Sequence, residues 1–495
     1  MKKFLLGIDQ GTSSSRAMLQ SIDGNMEYMA SREFNCIYPE NQWVEQEPCD
    51  ILVTTLECCK NVLKKAEEMK ANVEAIGITN QRETTILWDK QTGKPIYNAI
   101  VWQDRRTSDY CNNLINQGYE KEIVKKTGLI IDPYFSATKI KWILENVEGA
   151  KEKAEKGEII FGTVDTFLLW HLTGGKIHAT DASNASRTML FNLEKQDWDR
   201  DILREFKIPE QILPEVKDSV CRFGVTDKYL LGAEIPITAI LGDQQAAAVG
   251  QACFSPGFLK CTYGTGCFAV MNIGDDPVYS NNRLLTTVAY RLNGKPTYAL
   301  EGSVFVAGAA VKWLRDNLKV ISQPSDTEDL ARKLKDNDGV YIVPAFTGLG
   351  APHWDSKAKG VIVGLTRNTG IEHLARAVLE AACYQTYDLY ESMNNDCGIP
   401  LLELRVDGGM TDNKWMLQFL ADISDLRVTK PIITQITAFG VAAFAGLGVG
   451  LYKDLEDIKN LWRIDSQYSP HMDKEKRLEY INKWRKAVDV AKEYK

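Results

Sequence analysis

The sequence predicts an α/β fold built as two similar domains, and three observations carry that prediction. Strand-like and helix-like periods alternate along the chain, the pattern of helices packed on sheets. At 495 residues the chain exceeds the size at which one hydrophobic core stops growing. One unit also occurs once in each half: an apolar strand, a turn of glycine and hydroxyl residues, then a second strand. It spans Phe4 to Leu19 in the first half and Phe258 to Asn272 in the second.

The first half opens with strands over Phe4–Asp9 and Ser15–Ser21 and an edge segment at Met26–Glu33. From Asp50 to Met69, Ile51, Leu52, Leu56, Val62 and Leu63 recur at helical spacing with Glu and Lys opposite them, which predicts a helix. Val73–Thr79 reads as a buried strand carrying Asn80-Gln81-Arg82-Glu83 at its carboxyl end. Thr84–Asp89 returns as a strand before the turn at Gln91–Pro95. Ile100-Val101-Trp102 is a further short strand, followed by a charged helix from Arg105. Ile240 to Gln245 forms another strand-to-helix junction, and the boundary falls after it, giving domains of 1–251 and 252–495.

The second half repeats the scheme with the hairpin at 258–273, a helix at Ser303–Leu318 and a strand at Val340–Pro344 leading into glycine-rich Phe346–Pro352. A long helix follows at Glu372–Cys397, then a strand at Leu402–Asp407 opening into Gly408-Gly409, and a helix from Asn413. The tail after Lys453 reads as a charged helical segment.

Bulk properties exclude several classes. With a net charge of −7 there is no broad basic surface, so nucleic acid and anionic membrane are poor partners. The apolar run at the amino terminus ends at Asp9, too early for a signal peptide. Pro431 to Tyr452 carries no charge, but its glycines, threonines and Pro431 suit a closely packed internal helix better than a membrane span. The eleven cysteines include no Cys-x-x-Cys, which predicts reduced thiols and a cytoplasmic protein. The histidines at 171, 178, 353, 373 and 471 have no ligand spacing.

No Gly-x-x-x-x-Gly-Lys-Ser/Thr, His-Arg-Asp or Asp-Phe-Gly occurs, which argues against P-loop and protein-kinase folds. The candidates lie elsewhere. Asp9, Gly11, Thr12, Ser13 and Ser14 put a carboxylate, hydroxyls and unhindered backbone N–H groups at one point, which suits a phosphate and its Mg²⁺. An ordinary hairpin would favour the same residues; Gly264-Thr265-Gly266 and Asp407-Gly408-Gly409 make the phosphate reading the better one. Two such turns imply a nucleotide clamped between the domains, a phosphotransferase layout. Asp243, beside Gly242 and Gln244-Gln245, is either a helix N-cap or the acceptor of a hydroxyl proton, and both readings stand. Arg82-Glu83 would ordinarily be a solvated pair, yet it ends a buried strand, where donor and acceptor together could grip a neutral polyol. Trp102 and Tyr134 could wall the carbon side of such a substrate, although for lone aromatics plain core packing is the better reading.

Together these stretches resemble the FGGY carbohydrate kinases from end to end. Family marks are Tyr134-Phe-Ser-Ala-Thr-Lys139-Ile-Lys-Trp142 with the residues to Asn146, and Gly360-Val-Ile-Val-Gly364-Leu-Thr-Arg. Ile78-Thr-Asn-Gln-Arg82-Glu83-Thr-Thr, Asn98-Ala-Ile-Val-Trp102-Gln, Gly242-Asp243-Gln244-Gln245-Ala, Thr262-Tyr-Gly-Thr265-Gly-Cys and Pro344–Pro352 resemble the glycerol-phosphorylating branch.

The resemblance implies an α/β fold of two actin-like (ribonuclease H-like) domains with a nucleotide cleft between them. It implies in-line phosphoryl transfer from ATP to glycerol, giving sn-glycerol 3-phosphate and ADP. Arg82, Glu83, Tyr134, Asp243 and Gln244 match glycerol-binding positions, with Trp102 as an apolar wall and Asp243 as general base. Asp9, with Asp243, matches the Mg²⁺-linked carboxylates. Thr12, Ser13, Ser14, Arg16, Thr265, Gly308, Gly409 and Asn413 match nucleotide contacts. A homodimer or homotetramer is the expected assembly. Three positions depart from relatives: Lys312 replaces a glutamine, Asp227–Glu234 lacks the glycine- and basic-rich loop that binds fructose 1,6-bisphosphate in some members, and Tyr229 stands where others carry a regulatory histidine. The rival readings are another polyol or sugar kinase of the same family and an actin-like ATPase without kinase activity.

Overall fold

The computed structural model describes residues 2–355 and 357–494. Two twisted sheets dominate. The first contains β1 (Lys2–Gln10), β2 (Ser14–Ser21), β3 (Met26–Glu33), β4 (Ala71–Asn80), β5 (Val220–Val225) and β6 (Pro236–Gly242), in the order β5-β6-β4-β1-β2-β3. The second contains β7 (Phe258–Tyr263), β8 (Cys267–Gly274), β9 (Leu285–Leu292), β10 (Lys295–Val304), β11 (Glu403–Asp407), β12 (Val428–Pro431) and β13 (Ile464–Tyr468), in the order β9-β10-β8-β7-β11-β12-β13.

The sheets share one pattern. Read from β3, the first pairs antiparallel, antiparallel, parallel, parallel, antiparallel. Read from β10, the second pairs in the same senses, with β9 added at its edge. The repeated hairpin is therefore the visible part of a repeated sheet.

The helices that matter for the site are α1 (Pro48–Glu68), α2 (Ser136–Asn146), α3 (Asp243–Gly250), α4 (Gly308–Asp316), α5 (Ile371–Cys397), α6 (Lys414–Ser424) and α7 (Ile436–Gly448). Of these, α3 leaves the first sheet directly from β6, and α7, late in the chain, packs back on the first sheet and on α3. Glycines permit that approach. A Cβ at Gly440 would run into the carbonyl of Ala246, and one at Gly250 into that of Ile436. Gly7 on β1 and Gly77 on β4 bring the carbonyls of Ala438 and Val441 just as close. The uncharged stretch Pro431–Tyr452 is thus an internal helix wedged by small residues, and no helix among the described residues is long and apolar enough to cross a membrane.

Local expectations needed correction at several points. The helix expected from Ser303 begins at Gly308, because Val304 still pairs with Cys267 in the sheet. Trp102 lies just beyond a two-residue strand, Ala99–Ile100, and the helix expected at Arg105 begins at Ser108. The strand expected over Thr84–Asp89 is confined to Ile86–Asp89. The tail is not purely helical: Ile464–Tyr468 forms an edge strand whose polar, mostly exposed residues imitate a solvated helix.

These contacts make a prediction. Gly440→Ala should gain up to about 1 kcal/mol in helix propensity, but the added methyl meets backbone of α3 that has no free rotamer to yield. Overpacking of this kind costs about 1–3 kcal/mol, so thermal melting should show a lower Tm than wild type. An unchanged or raised Tm would refute the tight crossing of α3 and α7.

Candidate active site

Register aligns the site. Asp9 sits opposite Thr79 on β4, and Asn80 sits opposite Gly242 on β6, so the three parallel strands end at one level. The residues that follow, Gln81-Arg82-Glu83 and Asp243, emerge together at the carboxyl edge of the sheet, where ligands of α/β folds collect.

The first turn is braced from below. Gly11 N–H donates to Ser14 O at 2.9 Å. Gln46 Nε2 donates to Thr12 O at 2.6 Å, and Gln81 Nε2 donates to Gln46 Oε1 at 2.9 Å. Trp102 Nε1 donates to Thr12 Oγ1 at 2.9 Å, so the proposed apolar wall also holds a phosphate-turn residue. The Trp102 ring meets Tyr134 edge-on at 5.6 Å and Phe268 of the second sheet at 6.3 Å. Ser13 is exposed, Ser14 buried, and Arg16 pairs with Asp9 at 3.8 Å.

A chain of buried charges joins the other predicted residues. Arg82 Nε forms an ion pair with Asp243 Oδ1 at 3.1 Å, and Arg82 donates Nη1 to Gln245 Oε1 at 3.2 Å and Nη1 and Nη2 to the two oxygens of Glu301 at 2.5 and 3.0 Å. Arg187 donates Nη2 to Glu301 Oε1 at 2.9 Å and Nε to Glu83 Oε1 at 2.6 Å. The order is Glu83, Arg187, Glu301, Arg82, Asp243, alternating in sign. All but Asp243 have side chains at most 2% exposed; Asp243 is 31% exposed. Asp243 Oδ1 also accepts from the N–H of Gln244 at 2.7 Å, leaving Oδ2 as the oxygen open to a partner.

Burial and pairing set the proton affinities. Burial pushes Glu301 up, but Arg187 and Arg82 outweigh it and hold its carboxyl at about 2. At Glu83 burial outweighs the same two guanidiniums and the carboxyl lies above its usual range. Burial raises the Tyr134 phenol and keeps it protonated. Asp9 is pushed up to about 6 by burial first, with the nearby Asp243 charge adding to it and Arg16 opposing it.

Backbone conformation contributes as well. Glu83 has φ +61°, an uncommon state for a residue with a Cβ. Its carbonyl is held by Ser136 Oγ at 3.0 Å and Lys139 Nζ at 3.4 Å, and the fully buried Lys139 also donates to Tyr134 O at 2.5 Å. Burial lowers this ammonium to about 8. Residues from α2 therefore fix Glu83 and Tyr134 together.

The second cluster lies on the second sheet. Gly308 N–H donates to Gly264 O at 3.0 Å, and Ala307 and Ala309 N–H donate to Thr265 O at 2.9 and 3.0 Å, docking the start of α4 on the hairpin turn. Gly408, at φ 95°, brings the β11 junction against the Tyr263 carbonyl, where no side chain would fit. Gly409 faces open space. Asn413 caps α6 through Oδ1 to Met416 N–H at 2.9 Å, and its Nδ2 reaches Thr327 at 3.3 Å. Asp407, raised by burial, accepts from Gln251 Nε2 at the end of α3 at 2.8 Å, tying this cluster to the helix that starts at Asp243. Lys312 is exposed on α4, and Tyr229 is 90% exposed on a short helix.

The structure thus gathers Asp9, Thr12, Arg82, Glu83, Trp102, Tyr134 and Asp243 at one sheet edge, and Thr265, Gly308, Gly409 and Asn413 at the tips of the other. Gln244 is turned toward the second sheet, where Lys260 Nζ takes its carbonyl oxygen; Gln245 is the neighbour that reaches Arg82. Sequence reasoning missed Arg187, Glu301, Gln245, Lys139 and Lys260. For Glu301 and Lys260 a signal was present, a charge inside an apolar strand, which demands a buried partner.

A divalent cation fits this site only in one manner. Among the described residues no three His, Cys, Asp or Glu side chains group as ligands. Asp9 and Asp243 offer hard oxygens, and the Asp243 charge lies close enough to raise Asp9, which suits Mg²⁺ bound by one or two carboxylates, with phosphate and water completing its shell.

Comparison with known proteins follows the same division. The model of the FGGY family of carbohydrate kinases, N-terminal domain, matches residues 4–250, and that of its C-terminal domain matches 259–449. A protein of Pseudomonas aeruginosa called glycerol kinase 1 is 55% identical over 488 residues, covering 99% of both chains. A glycerol kinase of Coxiella burnetii is 55% identical over 490 residues, covering 99% of this chain and 98% of its own. The crystal structure of Plasmodium falciparum glycerol kinase with ADP superposes with a TM-score of 0.95 at 38% identity, covering 99% of this chain and 98% of that one. A xylulose kinase of Lactobacillus acidophilus shares the fold at 21% identity, with a TM-score of 0.89 and coverage of 99% and 97%.

The raised Asp9 carboxyl predicts a pH-dependent penalty. Because its folded value, about 6, lies above the ordinary 3.8, the folded state binds this proton more tightly than the unfolded chain. Stability is therefore lost as pH rises between those values, and the deficit, about 1–3 kcal/mol, is complete above them. Asp9→Asn should melt higher than wild type at pH 7.5, and the difference should vanish near pH 4. A difference independent of pH would refute the burial argument.

Proposed function

Because the chain belongs to the FGGY family of carbohydrate kinases, we propose that it transfers the γ-phosphoryl group of ATP to glycerol, giving sn-glycerol 3-phosphate and ADP. The observation that carries this reading is the buried ladder ending at Asp243. It leaves a set of uncommitted atoms suited to a small polyol. Asp243 Oδ2 and Glu83 Oε2 are free acceptors, and Arg82 keeps one Nη2 hydrogen beyond those given to Glu301. Trp102 and Tyr134 stand beside them as apolar walls. Near-complete identity of length with glycerol kinases at 55% supports the same substrate.

In the proposed reaction one glycerol hydroxyl is hydrogen-bonded to Asp243. As its oxygen bonds to the γ-phosphorus, the proton passes to Asp243 Oδ2 and the bond to the β-phosphate oxygen breaks in line. Arg82, paired with Asp243, holds it turned toward the substrate. Glu83, clamped by Arg187 and α2, fixes a second hydroxyl and so chooses which carbon is phosphorylated. Mg²⁺, entering with the nucleotide and held beside Asp9 and Asp243, would supply charge neutralisation. The hydroxyls and N–H groups of Thr12, Ser13 and Ser14, with Arg16, would face the phosphates from the first half. Thr265, Gly308, Gly409 and Asn413 would hold the nucleotide from the second. Catalysis is then mainly positioning and electrostatic stabilisation, as phosphoryl transfer requires. The division at 251 and 252 separates the polyol half from the adenosine half. The eleven cysteines, all unpaired, suit the cytoplasm.

Two measurements test this reading. A coupled ADP-release assay with Mg·ATP should show saturable turnover on glycerol and little on xylulose, ribulose or gluconate; turnover on a sugar alone would overturn the pocket assignment. Asp243→Asn should keep glycerol affinity within a few-fold and lower kcat by ~10²–10⁴, the range for loss of a general base. A kcat near wild type would remove Asp243 from that role.

A further inference from the structure

We propose that Glu301 is a positioning residue for the polyol site, a carboxylate of the second half that sets the substrate groups of the first. The inference rests on the reading of the site given above and adds a residue to it. Glu301 lies within β10, opposite Val270 on β8 and Leu285 on β9, in a strand whose neighbouring side chains are apolar. A charge there carries a desolvation cost of several kcal/mol, which its pairing with the equally buried Arg82 and Arg187 offsets. Neutralisation alone, however, does not require the geometry this carboxylate adopts.

What only a carboxylate supplies is a two-oxygen anchor. Oε2 accepts from Arg82 Nη1, and Oε1 is shared by Nη2 of Arg82 and Nη2 of Arg187. Each guanidinium is planar and rigid, so fixing its Nη end fixes where its Nε points. Arg82 Nε is thereby placed 3.1 Å from Asp243 Oδ1 as an ion pair, and Arg187 Nε donates to Glu83 Oε1. The two acceptors proposed for glycerol are thus both oriented through one residue, and that residue belongs to the opposite sheet. Any shift between the halves displaces both acceptors together. Polyol binding then depends on the halves being in register, while the turns that face the nucleotide make no contact with Glu301.

Glu301→Gln, Glu301→Asp and Arg187→Lys, the last two keeping every charge, test this by steady-state kinetics and melting of the full chain. We expect Glu301→Gln to raise KM for glycerol at least tenfold and lower kcat at least tenfold, with KM for Mg·ATP within threefold. Glu301→Asp should recover part of both losses, and Arg187→Lys should raise KM for glycerol at least threefold. If Glu301→Gln does not fold, the other two variants carry the test. A folded variant at position 301 with glycerol KM within twofold of wild type overturns the proposal, as does an equal loss of glycerol and Mg·ATP affinity. Absence of glycerol turnover in the wild type would instead overturn the underlying function and is read separately, before any variant.

Discussion

Burying charge at the seam between two sheets is the constraint on which this molecule turns. Arg82, Arg187, Glu83 and Glu301 have almost no access to solvent, and each is tolerable only because the next one neutralises it. Removing one partner strands another: truncating Arg82 would leave Glu301 facing Arg187 alone and Asp243 without its guanidinium. Such losses cost about 3–5 kcal/mol in buried pairs. On the proposed reading, substrate groups and interface groups are therefore the same groups. A site of this kind cannot be tuned independently of the way the halves meet.

The second constraint is distance. The crossing of α3 and α7 brings backbone to backbone at Gly440 and Gly250, and α7 lies on β1 and β4 through Gly7 and Gly77. Asp243 begins α3 and Asp9 ends β1, so the same small-residue contacts fix the two carboxylates relative to each other. Gln251, at the far end of α3, holds Asp407 at the nucleotide edge of the second sheet. One short helix thus has the proposed base at its start and a tie to the Asp407 junction of the second sheet at its end. On the proposed reading, a rigid element of eight residues would relate the two substrates.

Much of this was legible in the sequence, and what was not had physical reasons. The α/β class, the paired hairpins and the clustering of Asp9, Arg82, Trp102, Tyr134 and Asp243 follow from strand ends and turn chemistry, which are local. The motifs that resemble the FGGY kinases lie on those same ends, and the family matches both halves. Of the two readings of Asp243, the cap is not the one observed: Gly242 occupies the N-cap, and Asp243 is the first residue of α3, its Oδ1 accepting from the N–H of Gln244. Glu301 and Arg187 escaped because their meaning is a pairing across more than a hundred residues, and no periodicity encodes it. Gln244 and Gln245 differ only in direction, one accepting from Lys260 and the other from Arg82, a difference that depends on the helix being placed. The edge strand Ile464–Tyr468 was missed for the opposite reason: half of it faces water, so its sequence obeys the surface rather than the sheet.

The charge pattern also bears on the order of events at the site. Asp9 and Asp243 lie close enough for one to raise the other, and both face the place proposed for a triphosphate. Two carboxylates there repel a phosphate, and the cations nearby do not cancel them: Arg82 is committed to Glu301, and Arg16 is partly solvated at 42% exposure. On the proposed reading a bare nucleotide is disfavoured, and the divalent ion is required for binding as well as for the transition state. Asp243 is held by Arg82, whereas burial raises Asp9, the more deeply buried of the two. On the proposed reading, the carboxylate that carries the stability penalty is the one whose charge a metal-bound nucleotide would stabilise, while the proposed proton acceptor is held by a guanidinium anchored in the opposite sheet.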